Sequence, residues 1–388
     1  MPVRIYLDHA ATTPIRPEAL AAMAEGFARW ANPSSPHAEG RAARKALEDA
    51  RARIAGALGW TGEVILTSGA SEAIALAMRG RRWTAGAVEH DAVLRWADER
   101  LPVDGKGRVF LPHGASGDPR IDRDGLPPPG GSPPAKTPDL HPGRAEPVEA
   151  RPSVVSDGCP STGAGRTGWV GRAIQHANSE TGVLQPVAGD GPVRLADCAQ
   201  SAGKLPLPDA DLIAVSAHKL GGPPGIGALL VRDLGLLQPT GGQEKGYRPG
   251  TENLPAALGF AAALEASRDW LDAMPPIRAK LDAAIEAAGG DIIARDAPRI
   301  ATIASYRMPR VTSAAQLIRF DMAGFAVSAG SACSSGTMKR SHVLEAMRYP
   351  HPDEVIRVSF GWTTTAAEVD AFAAAWTRIA AEAQARAA

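Results

Sequence analysis

Short, mostly apolar runs alternate with longer Ala-rich segments through much of this 388-residue chain, and that alternation restricts the fold more than any other feature. Glu63 to Thr67 (EVILT), Arg194 to Asp197 (RLAD), Leu212 to Ser216 (LIAVS) and Ile226 to Val231 (IGALLV) have strand length. Strands apolar on both sides are covered on both faces, as in a parallel sheet between helix layers. Arg16 to Arg29 and Ala38 to Leu58 carry apolar residues at helical spacing, with the loop NPSSPH (Asn32 to His37) between them. SGASEAIALAM, directly after EVILT, reads as a Gly-containing turn that opens a helix. From about Gly246 onward, Ala-rich helices mix with strands at Ala301 to Tyr306 and Val355 to Ser359, which predicts a smaller α+β domain.

One segment does not fit this scheme. Gly125 to Gly168 holds ten Pro and eight Gly in 44 residues, only two Leu, and no Ile, Phe, Tyr or Trp. Such a stretch buries too little apolar area to offset its ordering entropy, so residues 125–168 are expected to form a disordered surface excursion.

Lys+Arg and Asp+Glu are both 42, so no basic field points to nucleic acid. No apolar run reaches the ~20 residues of a spanning helix, and the N-terminus does not read as a signal peptide. The three cysteines, Cys159, Cys198 and Cys333, form neither a disulfide framework nor a zinc cluster. A cytoplasmic protein without membrane or metal is expected.

The chemistry starts from VSAHKLGGPPGIGALLV, where Lys219 follows an apolar run and precedes a Gly/Pro turn. A lone lysine is ordinarily a solvated surface residue. The alternative is an amine held at a strand end to condense with a carbonyl cofactor. Asp197, in VRLADCAQSAGK, also ends an apolar strand; alone, it would read as a strand-end cap. In an open parallel sheet the strand C-termini share one crevice, which would bring Asp197 and Lys219 together. That pair suits pyridoxal phosphate, with the lysine on its aldehyde and the carboxylate on its ring nitrogen. Phosphate donors would come from the SGAS turn (Ser68 to Ser71) at a helix N-terminus, with Ser71, Ser216 and His218. His90, in VEHDAVL, can stack on an aromatic cofactor or be an ordinary loop histidine. Cys333, in the Gly/Ser-rich stretch AGSACSSG, is a candidate nucleophile. Cys198 reads as a small core residue and Cys159 as incidental.

YLDHAATTP, NPSSPH, TSGASEA, EHDAVL, HANSETG, DCAQSAGK, SAHKLGGPPGIG, GGQEKGYRPGTEN, VSAGSACSSG and IRVSFG follow one another along the chain. As an ordered set they resemble the cysteine desulfurases of the NifS/IscS type, in the class V aminotransferase-like group of fold-type I pyridoxal-phosphate enzymes. The resemblance implies a large cofactor-binding domain over residues 16–245, a small domain over 246–388 carrying the Cys333 loop, and residues 1–15 joining the small domain. It implies that Lys219 holds the cofactor, Asp197 its ring nitrogen, His90 its face and Gln200 its phenolic oxygen. Ala70, Ser71, Ser216 and His218 would cup the phosphate, with Thr251 donated from the other subunit of a homodimer. Asn178 would touch the cofactor. Arg357 would grip the substrate carboxylate, with Asn32 also at the substrate. Lys219, Cys333 and His90 would be the catalytic residues. The implied reaction converts L-cysteine to L-alanine, leaving a persulfide on Cys333 for a sulfur-acceptor protein of iron–sulfur assembly or tRNA thiolation.

The match departs in three places. The similar proteins usually carry two asparagines before the residue matching Glu180, whereas this chain reads Asn178-Ser179. A helix is expected to be missing after Gln185-Pro186, and the Pro/Gly segment replaces another. The rivals are selenocysteine lyase on the same scaffold and a degenerate, non-catalytic homologue acting as a binding partner.

Overall fold

The structure, a computed structural model, describes residues 4–111, 170–187, 192–330 and 340–387. The Pro/Gly segment expected over residues 125–168, with Cys159, and the Cys333 stretch lie outside the described residues. In chain order the strands are β1 (Ile5–Tyr6), β2 (Glu63–Thr67), β3 (Arg82–Gly86), β4 (Glu99–Leu101), β5 (Val170–Gln175) and β6 (Arg194–Asp197). They continue with β7 (Leu212–Ser216), β8 (Gly227–Val231), β9 (Asp291–Ile292), β10 (Ile303–Arg307), β11 (Phe325–Ala326) and β12 (Val355–Ser359). The helices are α1 (Pro17–Ala28), α2 (Ala38–Leu58), α3 (Ala70–Met78), α4 (Asp91–Leu94), α5 (Leu254–Glu265), α6 (Trp270–Ala287), α7 (Ser313–Met322), α8 (His342–Ala346) and α9 (Ala366–Ala387).

Seven strands form the main sheet in the order β2-β8-β7-β6-β5-β3-β4. β7, β6, β5, β3 and β4 pair in parallel, while β8 lies antiparallel between β2 and β7. The fold is α/β, with the mostly parallel sheet between helices. Successive residues of each central strand feed different cores, which explains the unbroken apolar runs. Val64, Leu66, Ile213, Val215 and Leu230 pack with α2 and α5. Ile65, Leu212, Ala214, Leu229 and Val231 face the opposite way, onto α3 and Trp83. Each such side chain taken out of water contributes on the order of 2 kcal/mol before entropy is counted. Among the described residues no helix links β5 to β6.

A second, antiparallel sheet in the order β12-β10-β9 builds the C-terminal core with α6, α7 and α9. Its centre is aromatic: Phe320, Phe372, Tyr306 and Trp376 are fully buried. β1 pairs in parallel with β11, so the N-terminal segment is stitched to this part, and Ser359 N donates to Leu7 O at 2.8 Å. The next residues of that segment, Ala10 and Ala11, reach the mouth of the main sheet.

Candidate active site

The C-terminal ends of β2, β5, β6 and β7 open on one cleft of about 770 Å³. β2 leaves the sheet at Thr67 and turns through Gly69, whose φ of 152° suits glycine, into α3. Across the turn lies Gly227, where a side chain would stand 2.7 Å from Gly69 Cα, so the two backbones approach closely. The first amides of α3 have no partner within the helix, and Ala70 and Ser71 present them at the cleft.

β6 ends at Asp197, whose Oδ1 accepts from Ala199 N at 2.9 Å. Burial pushes this carboxyl above the ordinary carboxylate value, against the pull of the Ala199 N–H and of His90 and Lys219. β7 ends at Ser216, and a short 3-10 turn, Ala217–Lys219, carries His218 and Lys219 into the same space. The Lys219 amine donates to Ala10 O at 2.7 Å and Ala11 O at 2.8 Å. Burial, reinforced by the Arg357 charge, brings its pKa down to about 8. His218 pairs with Thr12 Oγ1 at 3.1 Å, and burial beside Lys219 lowers it to about 4, so its ring stays neutral. His90 caps α4, accepting from Ala92 N through Nδ1 at 3.1 Å, which leaves Nε2 for the cleft.

Gln200 is buried; its amide donates to Ala10 O at 2.9 Å and its Oε1 has no partner among the described residues. Arg357, on β12, enters from the small sheet. It donates to Asp8 Oδ1 at 2.8 Å and to Ser179 O at 2.9 Å, and its buried Nε has no partner among the described residues. Lys219, Asp197, His90, Gln200, Ser71, Ser216, His218 and Arg357 therefore meet around one space.

Two expected residues are placed otherwise, and a third, Thr251, expected at a partner's site, also lies off this cleft. Asn178 does not line the cleft. Its Nδ2 donates to Val88 O and Gln175 Oε1, and its Oδ1 accepts from Glu180 N, Thr181 N and Thr181 Oγ1. It is the clamp of a buried turn with no donor left for a ligand; the neighbouring Ser179 lines the cleft instead. Asn32 is exposed outside the cleft, where its Oδ1 accepts from Ser34 N at 2.8 Å, closing a local turn. Thr251 is exposed in the loop before α5, also away from this chain's cleft.

Other cleft residues were not singled out by sequence. Glu89 is fully buried three residues after β3; Oε1 accepts from Gln175 N at 2.8 Å and Oε2 has no partner among the described residues. Burial, with Asp197 adding to it, raises its carboxyl well above the usual range. Glu180 is buried too, raised by burial against the Ser341 hydroxyl bound to its Oε2 and the charges of His342, Arg357 and His90. Both stand inside motifs quoted above, EHDAVL and HANSETG, but a buried carboxyl has no periodic signature. His342, on α8, bonds Glu89 O through Nε2 at 2.8 Å, and nothing in RSHVL announces it.

A sequence profile of the aminotransferase class-V family matches residues 5–97 and 170–372. The chain belongs to that family. It is 32% identical to a cysteine desulfurase of Cereibacter sphaeroides, covering 95% of this chain and 93% of that one. It is also 32% identical to an IscS-like cysteine desulfurase of Mycobacterium tuberculosis, over 94% of this chain and 93% of that one. The crystal structure of a NifS-like protein from Rickettsia africae superposes with a TM-score of 0.73 at 26% identity, covering 97% of this chain and 99% of that one.

Members of this class-V family are pyridoxal-phosphate enzymes, and so is this chain. Its donor set fits the cofactor: a primary amine of lowered pKa for the aldehyde, a strand-end carboxylate for the ring nitrogen, free helix amides with two serines for the phosphate, and an unpaired polar atom on Gln200.

Proposed function

We propose that this enzyme is a cysteine desulfurase that takes sulfur from L-cysteine, releases L-alanine and passes the sulfur through Cys333 to an acceptor protein. The observation that carries this reading is the single cleft holding Lys219, Asp197 and Arg357, in a chain 32% identical to cysteine desulfurases over almost its whole length.

Bound at Lys219, pyridoxal phosphate supplies an electron sink for the carbon next to the substrate amine. Asp197 holds a proton on the ring nitrogen. Arg357, already fixed by Asp8 and Ser179 O, offers its planar fork to the substrate carboxylate. With a pKa near 8, the freed Lys219 amine is partly neutral at physiological pH and can take the α-proton. His90, whose Nδ1 is taken by Ala92 N, would face the ring. The Cys333 thiolate then bonds to the substrate sulfur as the carbon–sulfur bond breaks. The departing carbon takes the electron pair and a proton to become the alanine methyl group, and Cys333 keeps the persulfide.

Thr251 is exposed and off this cleft, which supports assigning it to the phosphate of a second copy in a homodimer. Among the described residues no helix is long and apolar enough to cross a membrane, and the odd, widely spaced cysteines support a reducing, cytoplasmic setting for the acceptor.

The test is incubation of the purified holoenzyme with L-cysteine, measuring alanine, and sulfide with and without dithiothreitol. Alanine release that depends on Cys333 supports the reading. Bound cofactor without alanine release from cysteine rejects it.

A further inference from the structure

The proposed reaction leaves one proton without a carrier. As Cys333 bonds to the substrate sulfur, the hydrogen on that sulfur must leave, and the carbon that loses the sulfur must gain one. Lys219 is occupied with the α-proton, His90 with the face of the ring, and His218 with Thr12. The cleft is lined by a third imidazole, that of His342, the first residue of α8.

The fold sets both the place of this ring and its tautomer. Ser341, just before it, accepts from Leu344 N at 3.0 Å and donates its hydroxyl to Glu180 Oε2, which ties the start of α8 to a buried carboxyl. His342 Nε2 lies 2.8 Å from Glu89 O. A carbonyl oxygen only accepts, so the ring hydrogen sits on Nε2, and in the neutral ring Nδ1 keeps a lone pair. Among the described residues Nδ1 has no partner, yet the atom is not enclosed, so the lone pair opens on the cleft that His342 lines. Burial raises the Glu180 carboxyl, and Ser341, His342, Arg357 and His90 all pull against it. His342 therefore stands on the wall that carries Arg357, the residue assigned to the substrate carboxylate.

We propose that His342 carries a proton, on Nδ1, from the sulfur of the substrate to its β-carbon; this role rests on the desulfurase reading. As the bond between the Cys333 sulfur and the substrate sulfur forms, Nδ1 takes the thiol hydrogen. The carbon–sulfur bond breaks with its electron pair going to the carbon, and Nδ1 returns the proton there, which completes the methyl group of alanine. The persulfide keeps the negative charge that the Cys333 thiolate brought, so nothing else is consumed. Sulfur and carbon are bonded neighbours, so one nitrogen serves both without a large movement of the ring. Nε2 keeps its own hydrogen throughout, and its bond to Glu89 O strengthens while the ring is charged.

His342→Gln tests the role, because the glutamine amide can still donate to Glu89 O while the base is lost. Alanine release from L-cysteine by the holoenzyme is expected to fall about 100-fold. The absorbance of the bound cofactor should not change. The Kd of L-alanine, which has the amine and carboxylate but no sulfur, should stay within about twofold when read from that absorbance. In holoenzyme crystals grown with L-alanine, His342 Nδ1 is expected within about 5 Å of the methyl carbon, which leaves hydrogen-bonding reach to a sulfur attached there. A longer separation overturns the role, even if the variant does not fold. So does turnover within about threefold of the parent, or a loss of turnover that cofactor content or L-alanine affinity shares. A parent enzyme that makes no alanine removes the desulfurase reading and this role with it, whereas an active parent matched by its variant removes only the role.

Discussion

Arg357 and Asp8 form a mostly buried ion pair, with Nη2 2.8 Å from Oδ1, at the meeting of the small sheet and the N-terminal segment. The pair fixes one edge of the guanidinium, and Ser179 O fixes another. A carboxylate arriving in the cleft therefore meets an arginine whose plane is already set. Less rotamer entropy is then lost on binding. The N-terminal segment does double duty, since Ala10 and Ala11, a few residues on, also hold the Lys219 amine.

Replacing Arg357 by lysine keeps the charge but loses the fork. KM for L-cysteine is expected to rise about 100-fold, corresponding to roughly 3 kcal/mol, while the absorbance of the bound cofactor stays unchanged. Steady-state kinetics beside a spectrum of the same sample checks both halves. An unchanged KM removes Arg357 from the substrate site.

Lys219 should show its lowered pKa when the cofactor-free protein captures pyridoxal phosphate. Only the neutral amine attacks the aldehyde. Its neutral fraction is about half at pH near 8 and nears completion a unit or so above, whereas an unperturbed lysine would keep gaining to beyond 10. Stopped-flow capture rates between pH 6 and 10 should therefore be half-maximal near pH 8 and level off above about 9. Lys219→Ala should cut turnover by roughly 10³-fold or more.

The sequence carried the frame of the site because the frame is periodic. The apolar runs ending at Asp197 and Ser216 announce strands, and strands pairing in parallel bring their ends together. The reversed direction of β8 between β2 and β7 was not legible, since an antiparallel central strand reads as apolar as a parallel one. Glu89 and Glu180 were missed because only burial makes them unusual. Asn178 was ambiguous because an asparagine clamping a turn and one bonding a ligand are the same letter. Only the five hydrogen bonds of its amide tell them apart.

Asn178→Ala follows from that distinction. It strands two buried backbone amides, Glu180 N and Thr181 N, while Val88 O keeps its bond from Gln175 Nε2, so a loss of roughly 2–4 kcal/mol of stability is expected. Cofactor absorbance at low temperature should remain that of the parent. Denaturant unfolding measures the first, and a spectrum the second. A stable variant with weakened cofactor binding would return Asn178 to the ligand set.

Glu89 gives the sharpest contrast between charge and shape. It is fully buried beside Gln175 N and Asp197, and burial holds its carboxyl well above the usual range, which favours the neutral acid. Glutamine has nearly the same shape, accepts from Gln175 N in the same way and carries no charge. Glu89→Gln should thus cost under about 1 kcal/mol of stability at pH 7. The wild-type protein must ionise this group, or open around it, as pH climbs, whereas the variant has nothing to ionise. The difference in unfolding midpoint between the two should therefore move in favour of Glu89→Gln with rising pH. The sign follows from linkage: a carboxyl whose folded pKa lies above its unfolded value binds more protons when folded, so its contribution falls as pH increases across that gap. A gap that is constant from pH 6 to 9, with the variant several kcal/mol less stable, would show instead that Glu89 is ionised and paired.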